Sequence, residues 1–137
     1  MSKPTPVNKE YTFEGRVIIS QTDSEGVITY ANRKFGEVSG YSVNELIGKP
    51  HNIIRHPDMP KALFQKVWET IKGGQAWNGL IKNLRKDGLY YWVDAEILPI
   101  LDEHMQVTGY ISAQKTASRK DIKENEELYN KMLETQA

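Results

Sequence analysis

The stretch that decides the fold begins at Trp77-Asn78-Gly79-Leu80-Ile81-Lys82-Asn83-Leu84, passes through Arg85-Lys86-Asp87-Gly88, and resumes from Leu89 to Leu101. After Asp102-Glu103-His104 a third run extends from Val107 to Thr116. All three runs are rich in β-branched and aromatic residues, and each is bounded by polar turn formers. An Asp-Gly pair between alternating segments is a strong hairpin signal, because the turn needs residues that tolerate positive φ. The C-terminal half of the chain therefore reads as three consecutive antiparallel strands.

Working outward, Lys61 to Lys72 carries Leu63, Phe64, Val67, Trp68 and Ile71 at helical spacing, and Gly73-Gly74 ends it. Ser42-Val43-Asn44-Glu45 has capping-box spacing and starts a short helix that stops at Gly48, before Pro50. Asn32 to Val38 reads as another short helix, ended by Gly40. Upstream, Arg16 to Ser20 and Val27 to Tyr30 form two strands about the turn Asp23-Ser24-Glu25-Gly26. The first ten residues, with Pro4, Pro6, Lys3 and Lys9, have no apolar period and read as a flexible arm or cap. From Ser118 the pattern turns helical, with Ile122, Glu126, Tyr129 and Leu133 on one side. That edge suits either packing on its own domain or a dimer seam. The expectation is an α+β fold: a five-stranded antiparallel sheet with helices on one face, an N-terminal arm (1–14), a central unit (15–117) and a C-terminal helix (118–137). A cavity between sheet and helices is the natural ligand site.

Composition narrows the function. The 137 residues hold 18 Lys plus Arg against 18 Asp plus Glu, so no net field draws nucleic acid or an anionic membrane. Apolar runs such as Val17-Ile18-Ile19 are too short to span a bilayer, and no signal-peptide pattern opens the chain. The absence of cysteine removes disulfides, thiolate catalysis and cysteine metal ligands, and fits a reducing cytoplasm. No dinucleotide or phosphate loop, nucleophile elbow or zinc helix is present, and His51, His56 and His104 are not spaced as metal ligands.

The candidate binding residues lie around Arg55-His56-Pro57-Asp58-Met59-Pro60. Pro57 and Pro60 stiffen the backbone and display Arg55, His56 and Asp58 just before the long helix. Arg55 is a permanent cation with a planar donor fork suited to a pyrophosphate, and His56 and Asp58 suit ribose or ring edges. Alternatively, Arg55 pairs with Asp58 and only fixes the turn. Trp77, Gly79, Ile81 and Asn83 alternate onto one face, where an aromatic ring, a gap and an amide suit a flat heteroaromatic ligand. The alternative is that Trp77 is core and Asn83 merely precedes a turn. Phe64 packs and also touches the ligand.

From about Ile19 to Ser118 the sequence resembles a PAS domain, and specifically those of bacterial aerotaxis receptors. The resemblance rests on Gly48 to Lys61 above all, then on Trp77 to Asn83, Tyr91-Trp92-Val93 and Gly109-Tyr110-Ile111-Ser112. Tyr30-Ala31-Asn32 and Ser39-Gly40-Tyr41 mark PAS domains generally, and Asn32 joins the expected cofactor contacts on that basis. The resemblance implies non-covalent FAD, a redox or oxygen-sensing role in motility rather than catalysis, and a chemotaxis signalling partner in cis or trans, with a homodimer possible. Against flavin-binding PAS photosensors, Asn83 falls where an amide pairs with the pyrimidine, and Gln114 near the ring's reactive edge. His51 stands where those photosensors carry their adduct-forming cysteine, so adduct chemistry is closed to this chain, and Val93 replaces a second amide. Three other readings stand beside this one: a haem gas sensor using His51 or His56 as axial ligand, a ligand-free dimerisation module, and a flavin enzyme, for which no acid–base pair is evident.

Overall fold

The computed structural model describes residues 3–136. Its strands are β1 (Ile18–Asp23), β2 (Ile28–Ala31), β3 (Trp77–Leu84), β4 (Tyr90–Leu101) and β5 (Val107–Lys115). The helices are α1 (Arg33–Ser39), α2 (Val43–Leu46), α3 (Lys61–Lys72) and α4 (Arg119–Gln136), with a single 3-10 turn over His51–Ile54. All strand pairs are antiparallel and the sheet order is β2-β1-β5-β4-β3. The first and last strands thus meet in the middle, a pairing that no local signal announces.

Local chemistry explains the short helices. The Asn32 side chain accepts from the Phe35 N–H to start α1, and Gly40 ends it with φ 81°. Ser42 and Glu45 form the expected capping box on α2. The first strand lies two residues later than its apolar run suggested, continuing through Gln21, Thr22 and Asp23. Those residues are held by backbone pairing to Ile111, Tyr110 and Gly109, and a ladder is indifferent to side-chain polarity.

Alternation divides the sheet into two faces. Ile18, Ser20, Ile81, Asn83, Tyr91, Val93, Ala95, Ser112 and Gln114 share the inner face, which α1, α2 and α3 cover. The outer face carries Trp92, and α4 packs on it: the Tyr129 ring stacks on Trp92 at 6.3 Å, and its hydroxyl donates to the Leu80 carbonyl at 2.6 Å. Ile122 and Tyr129 are both buried. Part of the apolar edge of the terminal helix is therefore occupied within the domain, while the adjoining Leu128 is 53% exposed.

The N-terminal arm is a cap rather than a loose tail. Val7 N–H donates to Gly88, Tyr11 N–H to Tyr90, and Tyr90 N–H to Lys9, so the arm pairs with β4 beyond the point where β5 ends. Gly88 has φ 92°, and a side chain there would meet the Thr5 carbonyl at 2.4 Å; only glycine allows this approach. Arg119 at the start of α4 donates to both carboxylate oxygens of Glu10, tying arm to helix.

Candidate functional site

A cavity of about 160 Å³ lies between the inner face and α3. The α3 stripe supplies Phe64, Val67, Trp68 and Ile71 as one wall. Ser20, Ile81, Asn83, Ile97, Ser112 and Gln114 form the facing wall, and His51, Ile54 and Arg55 close one end. The mixed apolar and polar lining is that of a small-molecule site.

The sheet wall is polar where a core would be apolar. Asn83, Gln114 and Ser20 are at most 3% exposed, and Ser112 is 7% exposed. Asn83 Nδ2 donates to Gln114 Oε1 at 3.5 Å, and Gln114 Nε2 donates to Ser112 Oγ at 3.3 Å. Ser112 pairs across the strands with Ser20, whose Oγ lies 3.0 Å from His51 Nε2. The contacts between the amides are long, so both groups retain bonding capacity toward the cavity.

Arg55 faces this wall. Its backbone bridges to Asn83, which straps the turn to the free edge of β3, and Met59 Sδ accepts from the Lys82 N–H further along. The guanidinium lies 3.7 Å over the Phe64 ring, and its Nε is buried without a hydrogen-bond partner. Burial pulls the guanidinium below its ordinary pKa. An unsatisfied, desolvated cation in a cavity wall is a site prepared for an acceptor, preferably an anion.

The turn divides the other residues expected there. His56 is 3% exposed, lies edge-on to Tyr90, and is absent from the cavity lining. Its Nδ1 accepts from the Asp58 N–H at 3.0 Å, so the ring is neutral and structural; burial, with the Lys82 charge, holds its pKa down. Asp58 is exposed and pairs with Lys82 at 3.2 Å, not with Arg55. Arg55 is extended at its bridge to Asn83, but the chain then turns, Met59 N–H donating to the His56 carbonyl at 3.1 Å, and His56 and Asp58 end up outside the cavity. Asn32 is likewise outside the cavity, its amide donating to Val17 and its oxygen capping α1.

Trp77 does not line the cavity either. A side chain at Gly79 would sit 2.6 Å from the Trp77 ring, so the gap expected to admit a ligand is filled by the tryptophan itself. His51, Phe64, Asn83, Gln114 and Arg55 do converge. Burial, followed by the Arg55 charge, pushes the His51 pKa down to about 4, so this ring is neutral at pH 7. Ser20, Trp68, Tyr110 and Ser112 also line the site and were not anticipated. The two serines become legible only once the β1–β5 register puts them side by side. Val93, expected in place of an amide, is fully buried opposite Ile81.

Among the described residues no cluster of metal-ligating side chains is present, and no helix is long and apolar enough to cross a membrane. The profile of the PAS fold family matches residues 28–114. The aerotaxis receptor of Escherichia coli (strain K12) is 46% identical over 112 residues, covering 82% of this chain and 22% of that protein. The nitrogen fixation regulatory protein of Klebsiella pneumoniae is 32% identical over 77% of this chain and 21% of its own length. The chain thus spans about a fifth of the length of these relatives. Among solved structures, the light state of the blue-light photoreceptor Aureochrome1 LOV superposes with a TM-score of 0.71 at 21% identity, covering 85% of this chain and 91% of that one. A light-oxygen-voltage domain studied with a flavin analogue gives 0.69 at 26% identity, covering 81% and 85%. A profile match over more than half the chain, the five-stranded sheet and the cavity between sheet and helices agree: this chain belongs to the PAS family.

Proposed function

We propose that the domain binds FAD non-covalently in this cavity and reports the cofactor's oxidation state to a chemotaxis signalling partner in the cytoplasm. It acts as a sensor and not as an enzyme. The observation that carries the reading is Arg55, whose Nε is buried without a partner and whose side chain lines the same cavity as the buried amides of Asn83 and Gln114. A flavin dinucleotide matches both features, with an acceptor-bearing planar ring for Asn83 and Gln114 and a diphosphate for the guanidinium. The 46% identity to an aerotaxis receptor supports the same assignment.

FAD when bound supplies two-electron redox chemistry at the ring. The chain's own residues make the site responsive. Phe64 and Trp68 pack one side of the slot, Asn83 and Gln114 read the ring edge, and Arg55 holds the charged end. A sensor must bind the two oxidation states with different free energy. For a two-electron couple about 1.4 kcal/mol corresponds to about 30 mV, so one altered hydrogen bond suffices. β3 presents Ile81 and Asn83 to the cavity while the Leu80 carbonyl accepts from Tyr129 of α4. Displacement of β3 therefore reaches the terminal helix directly.

Absorption spectroscopy of freshly purified protein tests the proposal. The expected result is a yellow protein with flavin bands near ~450 nm in roughly stoichiometric amount. Colourless protein that binds no added FAD would overturn it, and a Soret band would assign haem instead.

A further inference from the structure

The cavity, at about 160 Å³, is smaller than the roughly 300–1,000 Å³ of pockets that hold drug-sized ligands. Its borders differ in how far they can yield. The sheet wall is fixed by the β3–β4 and β4–β5 ladders, and α3 is anchored by Leu63, Val67 and Ile71, all buried. Phe64 is pinned under the Arg55 guanidinium at 3.7 Å, and Trp68 stands edge-on to Tyr110 at 5.5 Å. Trp77 is held differently. It is half-buried, it opens β3, and it follows Gly73-Gly74 and two exposed residues, Gln75 and Ala76. Its strand partner Ile97, and Ile81 further along the same face, both line the cavity. The indole lies along the strand over Gly79, its far atoms Cη2 and Cζ2 only 2.6 and 2.7 Å from where a Cβ would stand. It thus fills the stretch of sheet wall next to Ile81, where the cavity stops.

Resting on the FAD reading above, we propose that Trp77 is the gate of the cofactor site: its indole holds the place above Gly79 that the flavin ring takes, and swings off it as the cofactor enters. The cavity has to lengthen to admit a tricyclic ring, and moving the indole lengthens it along the wall that carries Asn83. Gly79 has no side chain, so the surface uncovered is bare backbone that a planar ring can approach closely. Rotation about the Trp77 side-chain bonds leaves the β3–β4 ladder intact. The indole is itself a flat aromatic group, so the slot it leaves selects another flat ring over a globular ligand of the same size. A gate of this kind weakens the measured affinity by the fraction of molecules that stand open, and it limits the rate of association.

The test is stopped-flow mixing of FAD with the full chain, comparing wild type with Trp77→Phe and Trp77→Ala, with FAD affinity measured alongside. Thermal midpoints establish that each variant is folded at the measuring temperature. Phenylalanine lacks the far ring atoms that cover Gly79 yet keeps an apolar side chain in place, so it serves if the alanine variant fails to fold. In wild type the observed association rate is expected to level off as FAD concentration rises. At that plateau Trp77→Phe is expected to bind about threefold faster and Trp77→Ala about tenfold faster, with FAD affinity tightened by similar factors. An association rate unchanged in folded Trp77→Phe, or FAD affinity unchanged or weakened there, overturns the gate and leaves the FAD reading intact. Wild-type protein that binds no flavin sinks both.

Discussion

The two faces of the sheet are built from the same strands and obey opposite rules. On the outer face, Trp92 and Tyr129 stack and Ile122 packs beside them, with the one buried hydroxyl bonded to Leu80. On the inner face, next to the cavity, four polar side chains are buried in long, loosely satisfied contacts, and Arg55 Nε and Tyr91 Oη have no partner at all. A buried polar group left unpaired costs about 1–3 kcal/mol, so stability alone would fill these positions with apolar residues. The outer face is organised for cohesion. The inner one is organised around something that the polypeptide does not itself provide.

This contrast is sharpest where a substitution moves stability on one face and affinity on the other. Trp92→Ala removes the stacked anchor of α4 and should destabilise the fold by about 3–5 kcal/mol, read in chemical denaturation, with little change in the affinity of the protein that remains folded. If the loss were under 1 kcal/mol, the outer face would not be the cohesive one. Arg55→Ala should do the reverse. Its expected effect is a 10- to 100-fold weaker affinity for FAD, about 1.5–3 kcal/mol, with apo stability nearly unchanged. Equal affinities of variant and wild type would remove the guanidinium from the site.

Acid should act next, and through the inner face. His51 has a folded-state pKa of about 4, below the ordinary value of 6.5, so the unfolded chain takes up its proton first. Stability from this residue is full above pH 6.5 and falls as the pH drops toward 4; the depressed His56 adds in the same sense. Because the His51 ring borders the cavity, we expect a loss on the order of 1–2 kcal/mol by pH 4.5, removed by His51→Gln. A flat profile from pH 7 to 4.5 would contradict it. The smallest effect belongs to Glu10→Gln, which breaks the link between arm and α4 at an ion pair whose arginine is 67% exposed. Less than about 1 kcal/mol is expected, detectable as earlier hydrogen exchange at Tyr11 and Tyr90.

Much of the scaffold was legible from local signals. Lys61–Lys72 and Trp77–Leu84 end where Gly73-Gly74, Leu84 and the Asp-Gly turn place them, since caps and turn residues act within a few positions. The site was legible only in part. Arg55, Asn83, His51, Phe64 and Gln114 line the cavity, whereas His56, Asp58, Asn32 and Trp77 lie outside it. For His56 and Asp58 the reason is the turn that follows Arg55: neighbours in sequence were taken as neighbours in the site, and the turn closed by Met59 N–H on the His56 carbonyl carries them out of it. For Trp77 the alternation was right, but its ring covers the adjacent Gly79, a packing choice that spacing leaves open.

Turn chemistry, capping and alternation act over a handful of residues, so the order of elements and the stiff Arg55 turn were properties of the sequence itself. The pairing of β1 with β5 joins residues almost a hundred positions apart, such as Ile18 and Gln114, and no local preference encodes it. That pairing sets Ser20 beside Ser112, the β3–β4 register sets Tyr91 opposite Asn83, and packing of α4 chooses which face stays closed. Which polar groups meet in the cavity, and which of them are left without partners, was decided by tertiary structure, because hydrogen-bond satisfaction is a property of positions in space and not of places along a chain.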